Sequence, residues 1–250
     1  MKLFVCVNQV PDTETKVKVG DDGKTIDRSE INVILNPYDE IAIEAALQLK
    51  DKSPSEVTYV SIGGDSNKDV IRKALAMGGD KGVLVKTGMA RDSFAVASMI
   101  ASALKDSGAD IIFFGKQSID YDDSAVGTMA AELLGLPSAS VVVKLDVNEA
   151  DRKVVCEREI EGGRETVELS MPCVITAQKG LNEPRYPSLK GIMAAKSKPV
   201  QEVAPGTTAA FTETTVMKKP AIKQAGRILG TDKTAVDELV RLLHEEAKVI

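Results

Sequence analysis

Tryptophan is absent from this chain of 250 residues, histidine occurs once, and aromatic residues make up 4% of positions. So few aromatic faces leave no stacking platform for nucleic-acid bases. The single histidine, His244, is followed by Glu245 and Glu246, which reads as a solvated helical face rather than the proton shuttle of a hydrolytic triad. The three cysteines, Cys6, Cys156 and Cys173, are far apart and form no C-x-x-C pair. That spacing writes neither a zinc nor an iron–sulfur site, and it suits small buried hydrophobes in a reducing cytosol. A basic run is missing too: 32 Lys and Arg face 37 Asp and Glu, for a net charge of -5. An acidic balance of this kind argues against nucleic acid as a partner. No stretch reaches the roughly 20 apolar residues of a membrane span, so direct membrane insertion is not expected. The opening Met1-Lys2-Leu3-Phe4-Val5-Cys6-Val7 is far short of a secretion signal; a buried strand and a cytoplasmic location are the expectations. With so few nucleophiles and proton shuttles, the reactive atoms are expected to come from a cofactor or partner.

What is present is a soluble, globular composition, 43% hydrophobic and 28% charged. Leu3–Val7 is a continuous apolar run, the mark of a strand covered on both faces. Gly20-Asp21-Asp22-Gly23 turns between Lys16–Val19 and Lys24–Asp27, predicting a small hairpin. Asn36-Pro37-Tyr38-Asp39 opens a helix, with Asn36 as cap, Pro37 at the first helical position and Asp39 completing a capping-box-like pair. Strands follow at Val57–Ile62, Val83–Val85 and Ile111–Phe114. They alternate with helices over Asn67–Met77, around Phe94–Leu104, and over Gly127–Leu134. This alternation predicts an α/β fold with a mostly parallel, doubly wound sheet. After Pro137, strands at Val141–Val147, Lys153–Ile160, Thr166–Leu169 and Val174–Ala177 predict an antiparallel extension of that sheet. Leu181–Pro187 lacks periodicity and reads as an exposed loop. From about Lys198 to Gly230 the chain is again aperiodic, an arm that wraps another surface. A last amphipathic helix uses Val236, Leu239, Val240 and Leu243, with Thr234 and Asp237 in capping positions.

Ligands of open parallel sheets lie beyond the C-terminal strand ends. Three loops meet that condition: Asn8–Asp12, Ile62–Ser66 and Gly115–Val126. The last joins a buried strand to a helix start, where free N–H groups could hold a phosphate near Ser124–Gly127. Lys116 and the Gln117 amide could add contacts to a sugar or base. The dinucleotide fingerprint and the P-loop are both missing. Asp120, Asp122 and Asp123 admit three readings: caps of the next helix, a solvated loop, or magnesium ligands.

Five segments occur in order: Asn36-Pro37-Tyr38-Asp39-Glu40, Ala74-Leu75-Ala76-Met77-Gly78, Gly115-Lys116-Gln117-Ser118-Ile119-Asp120, Glu157 to Glu165, and Leu181-Asn182-Glu183-Pro184-Arg185-Tyr186. Together they closely resemble the beta subunit of electron-transfer flavoprotein, essentially end to end. The resemblance implies an adenine-nucleotide-binding, Rossmann-like fold and a heterodimer whose alpha subunit holds most of a redox-active FAD. It implies a structural AMP on this chain, contacted by Cys6, by Asn36, Pro37, Tyr38 and Asp39, and by Ile62. The rest of that AMP site maps to Gly115, Lys116, Gln117, Ser118, Ile119, Asp120, Tyr121, Asp122, Asp123, Ser124, Ala125 and Val126. Some relatives carry Asn-Gln-Thr where this chain has Ser124-Ala125-Val126. Leu181, Asn182, Glu183, Pro184, Arg185 and Tyr186 match the loop that docks on acyl-CoA dehydrogenases, with Leu181 as its exposed apolar anchor.

What the resemblance implies is an electron carrier without catalytic side chains, passing electrons from acyl-CoA dehydrogenase-type flavoenzymes to a quinone oxidoreductase-type acceptor. Residues 1–197 form the nucleotide-binding domain, including the recognition loop 181–187; residues 198–250 form a C-terminal arm and helix that pack on the partner. Asp120, Asp122, Val126 and Gly127 also match electron-bifurcating members, which hold a second FAD in place of AMP and oxidise NADH. A stand-alone ATP-binding α/β domain is the remaining alternative.

Overall fold

Side chains of the first strand, β1 (Lys2–Cys6), alternate between two cores, as a pleated strand covered on both faces must. Leu3 and Val5 join one cluster, Phe4 and Cys6 the other. The computed structural model describes residues 1–88, 92–206, 209–223 and 225–250. A short antiparallel pair follows β1, made of β2 (Gln9–Pro11) and β3 (Val33–Leu35). Then come α1 (Pro37–Lys52), β4 (Glu56–Gly63), α2 (Asn67–Met77), β5 (Lys81–Lys86), α3 (Ser93–Leu104), β6 (Ile111–Gly115) and α4 (Val126–Leu134). The second half holds β7 (Ser138–Asn148), β8 (Lys153–Ile160), β9 (Gly163–Ser170), β10 (Cys173–Ala177), α5 (Leu189–Ala195), β11 (Val200–Val203) and α6 (Thr234–Arg241).

Among the described residues, nine strands form one sheet in the order β11-β5-β4-β1-β6-β10-β7-β8-β9. Pairing is parallel from β11 through β7 and antiparallel only at β7–β8 and β8–β9. Helices α1 and α2 pack on the cluster of Leu3 and Val5, while α3 and α4 cover Phe4 and Cys6. The expected doubly wound sheet is present. From β1 the chain moves outward to β4 and β5, then returns across the sheet to β6 on the other side. That reversal opens a crevice between the C-terminal ends of β1 and β6. Among the described residues, no helix is long and apolar enough to cross a membrane.

Several expectations change. The strand Cys173–Ala177 belongs to the parallel part, between β6 and β7, because its five residues are buried on both faces. The hairpin at 16–27 is reduced to a single bridge between Val19 and Ile26. Val200–Val203, expected within the aperiodic arm, pairs with β5 and ends the sheet. The arm proper therefore begins after Val203, and residues 207–208 and 224 of it lie outside the described residues. Thr234 is the first residue of α6 rather than its cap, and Asp232 accepts its N–H and hydroxyl. A π-helical turn, Leu242–Glu246, extends α6, and neither contains a buried residue.

The two sheet margins are charged. On β9, Glu165 pairs with Arg158 and Glu168 with Lys153; on β11, Glu202 pairs with Lys68 and Lys86.

Candidate functional site at the sheet switch point

Asp39, in the first turn of α1, ties the two walls of the crevice together. Its carboxylate accepts the Asn8 N–H beyond β1 at 2.8 Å and the Gly115 N–H at the end of β6 at 3.1 Å. It is therefore no helix cap, which corrects the capping-box reading. Burial pushes its pKa up to about 7, against the opposing effect of those N–H groups and the Asn36 amide. Asn36 likewise spends its side chain elsewhere: its Nδ2 donates to the Gln117 carbonyl at 2.9 Å. Its Oδ1 is buried with no partner, as is Oε1 of Gln9, whose Nε2 reaches Ser66 Oγ at 3.1 Å. Buried acceptors without donors are costly, so these two suit a ligand that brings N–H or O–H groups.

Gly115 sits where no side chain fits: a Cβ there would lie 2.7 Å from the Tyr38 carbonyl carbon. This contact lets α1 lie against the end of β6, and Lys116 then stands 5.3 Å from the Tyr38 ring centroid. Gly127 does the same for α4, where a Cβ would meet Thr176 at 2.8 Å.

Between them, the β6–α4 loop is braced by its own side chains. Gln117 donates to Asp122 at 2.7 Å, Ser124 donates to Gln117 at 3.2 Å, and Ser118 donates to Asp120. Asp123 accepts from Ser93 at the start of α3, and Asp122 takes φ 55° to turn the loop. None of the three aspartates caps α4, whose N-cap position is held by Ala125 with no side-chain hydrogen bond. The capping reading fails because these carboxylates are engaged within the loop and by Ser93. Among the described residues, no three His, Cys, Asp or Glu side chains group to hold a metal. The uncapped start of α4 leaves N–H groups and a positive dipole end for an anion. A free helix start and two orphan acceptors suit an anionic ligand with a donor-bearing ring.

Cys6 ends β1 and Ile62 is the last residue but one of β4, and both side chains lie in the α3–α4 core. Burial raises the Cys6 thiol pKa, and the neighbouring Asp39 charge adds to that. Cys156 and Cys173 are also buried and free, their thiols pushed up to about 12 by burial. Ile119 and Tyr121 complete the loop, and Tyr121 is exposed.

The segment 181–186 lies away from the crevice, on the body of α1. Asn182 donates to the Ile41 carbonyl at 3.0 Å. The Arg185 guanidinium reaches Glu44 at 2.7 and 3.1 Å and Asp51 at 2.7 Å. Leu181 is half-buried against the main core, so it is not the exposed anchor expected from the sequence. The exposed apolar side chains here are Tyr186, 94% accessible, and Leu189 of α5, 78% accessible. Glu183 is exposed and Pro184 half-buried. The helix α5 was missed, although Ser188 before the Leu189, Ile192 and Met193 spacing is a cap-and-stripe signal; Ser188 Oγ accepts the Gly191 N–H. Gln9 falls in the candidate loop Asn8–Asp12 without being singled out there, and Glu44 is not expected at all, because nothing local marks a glutamine or a helical glutamate for a distant partner.

The sequence model of the electron transfer flavoprotein domain matches residues 23–207, a span that contains all five quoted segments. An electron transfer flavoprotein subunit beta from Syntrophomonas wolfei is 44% identical over 227 residues, covering 90% of this chain and 88% of the relative. The chain belongs to the electron transfer flavoprotein beta-subunit family. The subunit beta of Bradyrhizobium diazoefficiens is 39% identical with both chains fully covered, and the mitochondrial subunit beta of Arabidopsis thaliana is 35% identical over the same full extent. The mostly parallel α/β sheet is the fold expected of an electron transfer flavoprotein beta subunit. Family membership also gives the coarse function, electron transfer that involves a flavin.

Proposed function

We propose that this chain is the beta subunit of a heterodimeric electron carrier. The carrier takes electrons from acyl-CoA dehydrogenase-type flavoenzymes and delivers them to a quinone oxidoreductase-type acceptor. The observation that carries the nucleotide assignment is the crevice between β1 and β6, with its uncapped helix start and unpartnered buried acceptors. In it this chain holds a structural AMP. The amide oxygens of Asn36 and Gln9 accept from the ribose or base, and the first N–H groups of α4 meet the phosphate. Asp39 fixes the walls at a set separation, and Gly115 lets α1 pack close against the end of β6.

FAD, held mainly by the alpha subunit, supplies the redox chemistry when bound. The beta subunit's own side chains bind, orient and dock. Arg185 shapes the docking segment Leu181–Tyr186 by its grip on α1, and Tyr186 with Leu189 offers a small apolar patch. A small patch suits brief redox encounters. The C-terminal helix α6 packs on the alpha subunit through its exposed apolar stripe Val236, Leu239 and Val240. That unpartnered stripe favours a heterodimer over a stand-alone ATP-binding domain. A cytoplasmic location accompanies this reading, in keeping with three free cysteines.

The test is to purify the complex, denature it, and count the released nucleotides by mass spectrometry. One AMP and one FAD per heterodimer is the expected result. Two FAD and no AMP would replace the AMP assignment with the electron-bifurcating one.

A further inference from the structure

The C-terminal arm is fastened to the chain's own body at two separated points. At the first, Asp92 Oδ2 accepts the N–H groups of Phe211 and Thr212, both at 2.8 Å, and the Thr212 hydroxyl at 3.1 Å. The other oxygen of Asp92 caps α3 through the Ala95 N–H at 2.8 Å. Phe211 also lies on Phe94, with ring centroids 4.4 Å apart. At the second point, Glu213 pairs with Lys24 at 2.8 Å and the Met217 N–H donates to the Gly23 carbonyl at 2.7 Å.

Both points lie on connections that leave the C-terminal ends of sheet strands, the first after β5 and the second in the insertion after β1, between β2 and β3. Asp92 and Phe94 border Ser93, which bonds Asp123 of the β6–α4 loop. Gly23 and Lys24 form the turn of the insertion that follows β1. Residues 211–217 thus connect the start of α3, next to the β6–α4 loop, with the insertion between β2 and β3 on the same side of the sheet. Burial does not explain the fastening, since Phe211 remains 76% exposed and Val216 is exposed as well. An arm that served only to reach a partner needs no second fixed point on its own body.

We propose that Phe211–Met217 is a strap across the mouth of the crevice which retains the adenine nucleotide against exchange, an inference that rests on the nucleotide assignment above. The strap makes the nucleotide a resident group rather than a freely exchanging ligand. Asp92 and Phe94 are its anchors at one end, Gly23 and Lys24 at the other.

The experiment uses the complex with its alpha subunit and follows replacement of bound AMP by isotope-labelled AMP, read by mass spectrometry. The double variant Phe211→Ala with Thr212→Val should exchange about tenfold faster than the unaltered complex, at an unchanged thermal midpoint. Exchange at the original rate, with new protease cleavage between residues 209 and 217 showing that the arm is loose, would overturn the strap alone. A complex found to carry no AMP overturns the nucleotide assignment and the strap together. Should the double variant fail to assemble, Glu213→Lys, which sets two cations against each other at Lys24, gives the same readout. Faster exchange supports the strap; an unaltered rate rejects it.

Discussion

Glu44 and Arg185, 141 positions apart in sequence, form a two-pronged pair in which the guanidinium meets both carboxylate oxygens, at 2.7 and 3.1 Å. The carboxylate side chain is only 6% exposed, whereas the guanidinium side chain is 35% exposed. Such a pair carries geometry as well as energy, because the planar fork fixes the loop on the helix. The same helix lends its first turn to the crevice, through Asn36 and Asp39.

Arg185→Ala should lower stability by about 1–3 kcal/mol, since it strands a buried carboxylate. Arg185→Lys should recover part of that and still lose the fork. Urea unfolding gives the first quantity, and the rate of reduction by an acyl-CoA dehydrogenase should fall in both variants.

Asp39 makes stability depend on pH. Its carboxyl titrates near 7 in the folded chain against an ordinary value of 3.8, so between those values the native state binds the extra proton. Its contribution is full below the ordinary value and is lost as pH rises through 7. From pH 5.5 to 7.5 the loss amounts to about 2 kcal/mol. Asp39→Asn should flatten that slope in urea titrations at the two pH values; an unaltered slope would assign it to another group.

Leu181 and Leu189 should separate cleanly. Leu181→Ala removes a side chain packed on the core and should cost about 1–2 kcal/mol of stability. Leu189→Ala should leave the unfolding midpoint within about 0.5 kcal/mol while slowing electron uptake from the dehydrogenase. Paired stopped-flow and unfolding measurements check both.

Val236→Asp combined with Leu239→Asp should abolish co-purification with the alpha subunit while leaving the body of the chain folded, because no residue of α6 is buried. Size-exclusion chromatography and circular dichroism test the two halves of that statement.

Much of the architecture was legible because its strands and helices have sharp ends. Asn67–Met77 stops at Gly78-Gly79, and Lys153–Ile160 stops before the Gly162 turn, where φ is +80°. The ladder partner of Cys173–Ala177 was less so, since a short apolar run does not state its direction; its unbroken burial is the mark of a central parallel strand. β11 escaped notice because Gln201 and Glu202 both face solvent, as an edge strand permits. In the crevice, the loop Gly115–Val126 was found from its position after a buried strand. The role of Asp39 was not, because a local capping pattern and a long-range bond to Asn8 and Gly115 use the same residue type.

The charged margins of the sheet bear on how this polypeptide behaves when alone. Glu165 and Glu168 along one border, and Glu202 along the other, set charged side chains on the outer strands, which disfavours edge pairing with a sister copy. Strand-to-strand polymerisation is discouraged on both sides, and the exposed apolar side chains lie off those margins, on α6, on the C-terminal arm and at Tyr186 and Leu189. Surplus copies are thereby steered toward waiting for a mate instead of clumping with one another.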